Sequence, residues 1–218
     1  MELEEYNLIV NKILPGSYLS DSISGYKLRL KFSHLDYSGL EDMHEYSSMP
    51  EFFEHLPGRS PSKNVQETRN YLDVLKHREE NGYHGGHSKY WFIKLKSTDK
   101  VIGTFGLVGV DFEKKIAEYG KGLSPKYWGK GLIFEALWVV TDYCFNRLGI
   151  EKIITSTDIN NHSNINLMQT IGSKIIEENR VETFNGKSVT KTILMLDKNT
   201  ATFDRCLGFA KLGESNDV

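Results

Sequence analysis

The chain has 218 residues, 39% hydrophobic and 26% charged, enough to bury one sizeable core. Its net charge of −2 is spread over both signs, which gives no footprint for nucleic acid or an anionic membrane surface. Two cysteines, Cys144 and Cys206, stand outside any metal-ligand spacing, and the acidic start Met1–Tyr6 lacks the basic and apolar regions of a secretory signal. The expectation is a cytoplasmic protein with reduced thiols and no metal.

Residues 1–25 show no sustained period and read as an N-terminal extension. Tyr26 to Phe32 alternates: Tyr26, Leu28, Leu30 and Phe32 share one face, and Lys27, Arg29 and Lys31 the other, as in a half-buried strand. A helix is expected from Asp36 to Glu45, with Asp36 as N-cap. A second is expected from Val65 to Glu80, its apolar face marked by Tyr71, Leu72 and Leu75 and its end by Asn81-Gly82. After a loop at Tyr83–Ser88 come three strands: Tyr90–Leu95, Val101–Val110 and Ala117–Leu123. Gly129–Leu148 reads as a long helix, apolar over more than half its circumference and therefore buried. The longest apolar-rich stretch, Leu132–Val140, is broken by Glu135, and no run approaches the ~18 residues of a membrane span.

Lys152–Thr157 is the next strand and Asn161–Ile171 a short helix stopped by Gly172. The strands Lys174–Thr183 and Ser188–Leu196 flank Asn185-Gly186, a strong hairpin signal. Residues 198–218 are a mixed tail, docked or disordered. A run of strands leading into strand-helix-strand predicts one α/β (α+β) domain over residues 26–197, with a mixed, mostly antiparallel twisted sheet of six to seven strands flanked by helices.

Gly129-Lys130-Gly131 follows a strand and opens a helix. A helix N-terminus offers unpaired N–H groups and a partial positive charge, and glycines let an anion reach the backbone. The pattern lacks the Gly-Lys-Ser/Thr ending of the nucleoside-triphosphate loop and the third glycine of the dinucleotide fingerprint. On spacing alone it is either an anion cradle or simply a tight strand-to-helix turn.

The run Ala117-Glu118-Tyr119-Gly120, Leu123-Ser124-Pro125-Lys126-Tyr127-Trp128-Gly129-Lys130-Gly131-Leu132, then Glu135-Ala136-Leu137, resembles the acyl-CoA signature of the GNAT superfamily of N-acetyltransferases. The Tyr-Trp-Gly-Lys-Gly and Glu-Ala pairings are similar to the ribosomal-protein-alanine acetyltransferase branch. Lys126 stands where the family motif Q/R-x-x-G-x-G/A has Gln or Arg. Downstream, Asn161 and Asn164 match the family's Asn and small-residue positions, with Asn160 and Ser163 as a competing register. A polar helix cap explains the same residues.

The resemblance implies acetyl-CoA as cosubstrate and direct attack by an amine in a ternary complex. It implies CoA contacts from Leu123, Lys126, Trp128, Gly129, Lys130, Gly131, Leu132, Ile133, Asn161 and Asn164, with the Leu123 N–H aimed at the acetyl carbonyl. Glu118 is the expected base, directly or through a water. Alternatively it binds the ammonium or pairs with a strand lysine such as Lys121. His84 and His87 are other candidates for the base. The tyrosine that serves many family members as acid falls here on Met168, which leaves Asn164, Ser163 or solvent to attend the thiolate. Cys144 reads as core. Phe53, His55, His84, His87 and Tyr90 are expected on the acceptor side. They suit a small polar amine such as an amino sugar or its nucleotide, or equally a peptide N-terminus. Three readings remain: a small-molecule N-acetyltransferase, a protein N-terminal or lysine acetyltransferase, and a CoA-binding regulatory domain without turnover. A homodimer is compatible with each.

Overall fold

The computed structural model describes residues 22–23, 26–56, 58–83, 86–184 and 186–204. Seven strands form one sheet: β1 (Leu30–His34), β2 (His87–Leu95), β3 (Val101–Asp111), β4 (Ile116–Leu123), β5 (Lys152–Asp158), β6 (Lys174–Phe184) and β7 (Lys187–Asp197). Their order is β1-β2-β3-β4-β5-β7-β6, and every pair is antiparallel except β4 with β5. The helices are α1 (Leu40–Ser47), α2 (Val65–Asn81), α3 (Leu132–Asn146) and α4 (His162–Thr170). The element order and the mixed, mostly antiparallel sheet are those expected from the sequence.

Several boundaries differ from expectation: β2 begins at His87, inside the expected loop, α3 ends at Asn146, and three further differences have a local reason. The first strand is interrupted: Tyr26–Lys27 pairs with Ser22–Ile23, and the main sheet begins at Leu30 after a bend at Arg29. Asp36 does act as a cap, its Oδ1 accepting the Ser38 N–H at 2.8 Å, but it caps a 3-10 turn, Tyr37–Gly39, that precedes α1. The long helix starts at Leu132, because Gly129 and Gly131 have φ of +73° and +72°, outside helical space. The β6–β7 hairpin closes as predicted, with Phe184 opposite Lys187 and Gly186 at φ +74°; Asn185 lies outside the described residues.

Two apolar clusters cover the two sheet faces. The larger packs α3 and part of α4 against the sheet around Phe105, Tyr119, Leu137 and Ile153. The smaller lies beneath α1 and α2 around Met43, Leu72, Tyr90 and Phe92. Helix α3 buries 11 of its 15 residues, so its outward side also needs cover. The C-terminal segment supplies some of it: Phe203 stacks on Trp138 with ring centroids 6.2 Å apart.

One polar contact crosses this apolar packing. Glu135 of α3 is only 6% exposed, and burial pushes its carboxyl pKa up. Opposing that, its Oε1 accepts the Leu30 N–H at 2.7 Å and its Oε2 accepts Arg29 Nε–H at 3.2 Å. Arg29 also donates through Nη1 to the Lys130 carbonyl at 3.1 Å. The bend at Arg29, the first strand and the loop before α3 are thereby tied together. Replacing Glu135 with Leu strands the Leu30 N–H and the guanidinium. The expected cost is about 3 kcal/mol of stability, read by urea denaturation, with Glu135→Gln losing less.

Candidate active site

The parallel pair is short. Registered partners run from Ile116↔Lys152 to Tyr119↔Thr155 and stop, although β4 continues to Leu123 and β5 to Asp158. Beyond that point β5 stays with β7, through Ser156↔Ile193, Thr157↔Thr192 and Asp158↔Lys191. Strand β4 stays with β3. The sheet therefore opens between β4 and β5.

The pairing pattern fixes what faces this opening. The Ser124 N–H bonds the Ile102 carbonyl at 2.7 Å, which makes Ile102 and Ser124 a hydrogen-bonded pair. By antiparallel alternation, Gly103↔Leu123 and Phe105↔Lys121 are non-hydrogen-bonded pairs. The N–H and C=O groups of Lys121 and Leu123 thus point away from β3, into the gap. The Leu123 carbonyl is taken by Trp128 Nε1–H at 2.7 Å. On the other side, the buried hydroxyls Thr155 Oγ1 and Ser156 Oγ have no hydrogen-bond partner. A slot lined by unmatched polar groups suits a ligand that supplies amides of its own, as the pantetheine arm does.

At the mouth of the slot, Pro125–Tyr127 forms a 3-10 turn, and Gly129 to Gly131 lead into α3 with Gly131 as left-handed N-cap. A Cβ on Gly129 would meet nothing within 4 Å, so glycine is needed there for its φ and for the open face it leaves. The first N–H groups of α3 have no acceptor within the helix and face an exposed loop, which fits a pyrophosphate. Trp128 and Lys130 are exposed, with Lys130 Nζ 5.4 Å from the Tyr127 ring centroid. Ile133 is partly buried and Leu132 fully so. Lys126 points elsewhere: its Nζ lies 2.6 Å from Glu45 Oε1 on α1, beside Lys100. The two ammonium groups hold the Glu45 carboxyl below its ordinary pKa.

Helix α4 borders the slot from the β5 side. Asn161 is its N-cap, with Oδ1 accepting the Asn164 N–H at 3.1 Å, so the capping role holds for the register beginning at Asn161. The Asn160 N–H goes to Asp158. Met168 is fully buried, and Lys121 Nζ approaches its sulfur to 3.6 Å.

The two faces of β4 carry different groups. Tyr119 bonds Thr141 of α3, and Lys121 meets Met168 of α4. On the opposite face, a Cβ on Gly122 would lie 2.6 Å from Phe52 Cζ, and one on Gly120 would strike Val108. Glu118 shares that second face. Pairing of Glu118 with Lys121 is therefore excluded by strand alternation. Arg180, beside a bulge in β6 where Asn179 has φ +58°, is held first by its ion pair with Glu177 and feels the Glu118 charge only as a lesser influence. Phe53 stacks edge-on against Phe52 at 5.2 Å, and His55 follows, half-buried. Tyr90 is buried in the smaller cluster. His87 sits in a row with Val110 and Ala117, 5.8 Å from the Phe112 ring, and burial lowers its pKa. His84 lies outside the described residues.

Cys144 is fully buried, which raises its thiol pKa and keeps it protonated in the core. Among the described residues no group of three His, Cys, Asp or Glu side chains could hold a metal, and no helix is long and apolar enough to cross a membrane.

A strand-lined slot ending on a glycine-opened helix is the arrangement of an acyl-CoA-dependent N-acetyltransferase. The model of the acetyltransferase (GNAT) domain matches residues 29–174, and the chain belongs to that family. It uses acetyl-CoA. An uncharacterized N-acetyltransferase, p20 of Bacillus licheniformis, is 28% identical over 146 residues, 67% of this chain and 79% of that protein. Spermidine N-acetyltransferase from Vibrio cholerae, solved with CoA and spermine, superposes with a TM-score of 0.64 at 18% identity, covering 79% of this chain and 97% of its own. The microcin C7 self-immunity acetyltransferase MccE, solved with acetyl-CoA and AMP, gives 0.67 at 16%, covering 85% and 98%. The ribosomal L7/L12 α-N-protein acetyltransferase RimL gives 0.66 at 15%, covering 81% and 92%.

Sequence reasoning gave Lys121 only as a possible partner for Glu118, not as a buried ammonium. A signal for burial existed: it occupies the apolar phase Ala117-Tyr119-Lys121-Leu123 of its strand. Gly129→Val and Gly131→Val force a side chain into left-handed space at about 1–2 kcal/mol each and cover the cradle. CoA affinity measured by calorimetry should fall more than tenfold in either variant.

Proposed function

We propose that the protein acetylates the primary amine of a small polar molecule, an amino sugar or its nucleotide being a fitting class. The carrying observation is the Glu118 face of β4. Gly120 and Gly122 present no side chains there, and Val108 and Phe52 pack directly onto them, so the surface beside Glu118 is walled by side chains instead of forming an open groove. A walled space with one carboxylate fits a compact ammonium better than an extended peptide. Phe53 and His55 would line it, and the acceptor would enter from the side opposite the glycine cradle.

In this reading Gly129, Gly131 and the first N–H groups of α3 hold the pyrophosphate of acetyl-CoA, and the β4–β5 slot holds its pantetheine. The Leu123 N–H, directed into the slot, would polarise the thioester carbonyl. Asn164 would orient the thiol end from α4. Glu118 would take the proton from the acceptor ammonium, directly or through a water, so that the neutral amine attacks.

A panel of amino sugars, sugar-nucleotide amines, polyamines and N-terminal peptides, followed by release of CoA thiol, tests the acceptor class. Turnover confined to peptides would overturn it. Tight CoA binding with no turnover on any amine would favour a regulatory role. Glu118→Gln should lower kcat about 10²-fold or more and remove the acidic limb of the kcat/KM profile. An unchanged profile would remove Glu118 as base.

A further inference from the structure

Lys121 departs from what its strand position demands. Ala117, Tyr119 and Leu123, which share its face, are all buried. Lys121 is drawn inward as well, its Nζ 3.6 Å from the sulfur of fully buried Met168. A buried or half-buried ammonium without a carboxylate is costly, and sequences retain one where it has work to do. Among the described residues no carboxylate acts on it. Phe105 lies opposite on β3, Met168 on α4, and Tyr119 and Leu123 flank it on β4; Glu118 is on the other face. Tyr119 and Cys144 beneath are held neutral by burial.

Its position gives that charge a target. The sheet opens immediately past Tyr119↔Thr155, and Lys121 stands two residues into the opening. Met168 is one helical turn beyond Asn164, on the same side of α4. An arm anchored at the glycine cradle and running inward between β4 and β5 must end near this point, where the strands close. The side chain available at its end is an ammonium.

We infer that Lys121 is the residue that serves the leaving sulfur, stabilising the CoA thiolate as it forms and returning a proton to it. The inference rests on the slot being the pantetheine site. Glu118 passes the proton it took from the ammonium to solvent; as the neutral amine nitrogen then bonds the acetyl carbon, the freed carboxylate takes the nitrogen's surplus proton. The carbon–sulfur bond then breaks, and its electron pair stays on sulfur. The Lys121 ammonium gives one proton to that sulfur, leaving CoA thiol and a neutral amine, which regains a proton from solvent. Loss of solvent around the ammonium lowers its pKa to about 8. That is close to the ~8.5 of an ordinary thiol, so transfer runs nearly level. The base and the acid are thereby placed on opposite faces of one strand.

The test needs no acceptor. CoA is bound to the protein, and its thiolate absorbance is titrated with pH in wild type, Lys121→Met and Lys121→Arg. A facing cation lowers a thiol pKa by about one unit or more. In wild type the bound thiol should titrate at least that far below free CoA. Lys121→Met should abolish the shift while calorimetric CoA affinity stays within a few-fold, and Lys121→Arg should restore it. A wild-type thiol that titrates like free CoA would overturn the inference whatever the variants do. So would an unchanged shift in Lys121→Met, which would leave the slot assignment intact. Acetylation of Lys121 itself on incubation with acetyl-CoA, read by mass spectrometry, would also overturn it, since an amide carries no proton to give. Failure of wild type to bind CoA at all would remove the slot assignment and this inference with it.

Discussion

Four registered pairs hold β4 to β5, and the structure turns on where they stop. Up to Tyr119↔Thr155 the two strands form the only parallel contact among the described residues; past it each pairs with a different neighbour. Trp128 takes up the Leu123 carbonyl, and among the described residues strand pairing supplies no partner for the other backbone groups left over. The β3 partner occupies one edge of β4 and the β7 partner one edge of β5, and alternation points the Lys121 and Leu123 amides into the gap. A fold that leaves such groups unmatched is completed by a ligand with amides of its own. The glycine cradle, the α4 cap and the two-faced β4 all lie around that break.

The break needs rigid halves, and the Glu135 contact does much to hold one of them. A carboxylate bonded to a strand N–H and an arginine lies between α3 and the first strand, and the same arginine reaches the Lys130 carbonyl. The loop that would take the pyrophosphate is therefore braced from behind by a residue 101 positions away. Burying the carboxylate costs free energy. In return, the loop keeps two left-handed glycines open toward solvent instead of collapsing into another helical turn.

Most of the fold was legible because its signals are local. Alternation marks the strands, Asn161 caps a helix as its side-chain chemistry allows, and Asn185-Gly186 announces the hairpin. The start of α3 was misread by three residues because its apolar period is strong and the left-handed φ of Gly129 and Gly131 leaves no mark in a periodicity. The glycine cradle was legible as a motif. Groups that depend on contacts across the chain were less legible. Lys121 reads as a polar strand residue until α4 is laid over it, and Glu135 reads as an interruption in an apolar helix until Arg29 is placed opposite.

The Trp128 indole bonded to the Leu123 carbonyl has a consequence for donor choice. It fastens the glycine turn to the end of β4, so that the two points proposed to hold the pyrophosphate and the thioester would keep a fixed separation. The span between them becomes a ruler cut to a fixed length of linker. On the proposed reading, selection among donors would fall first on the length of the linker between the glycines and Leu123, before the acyl group is met.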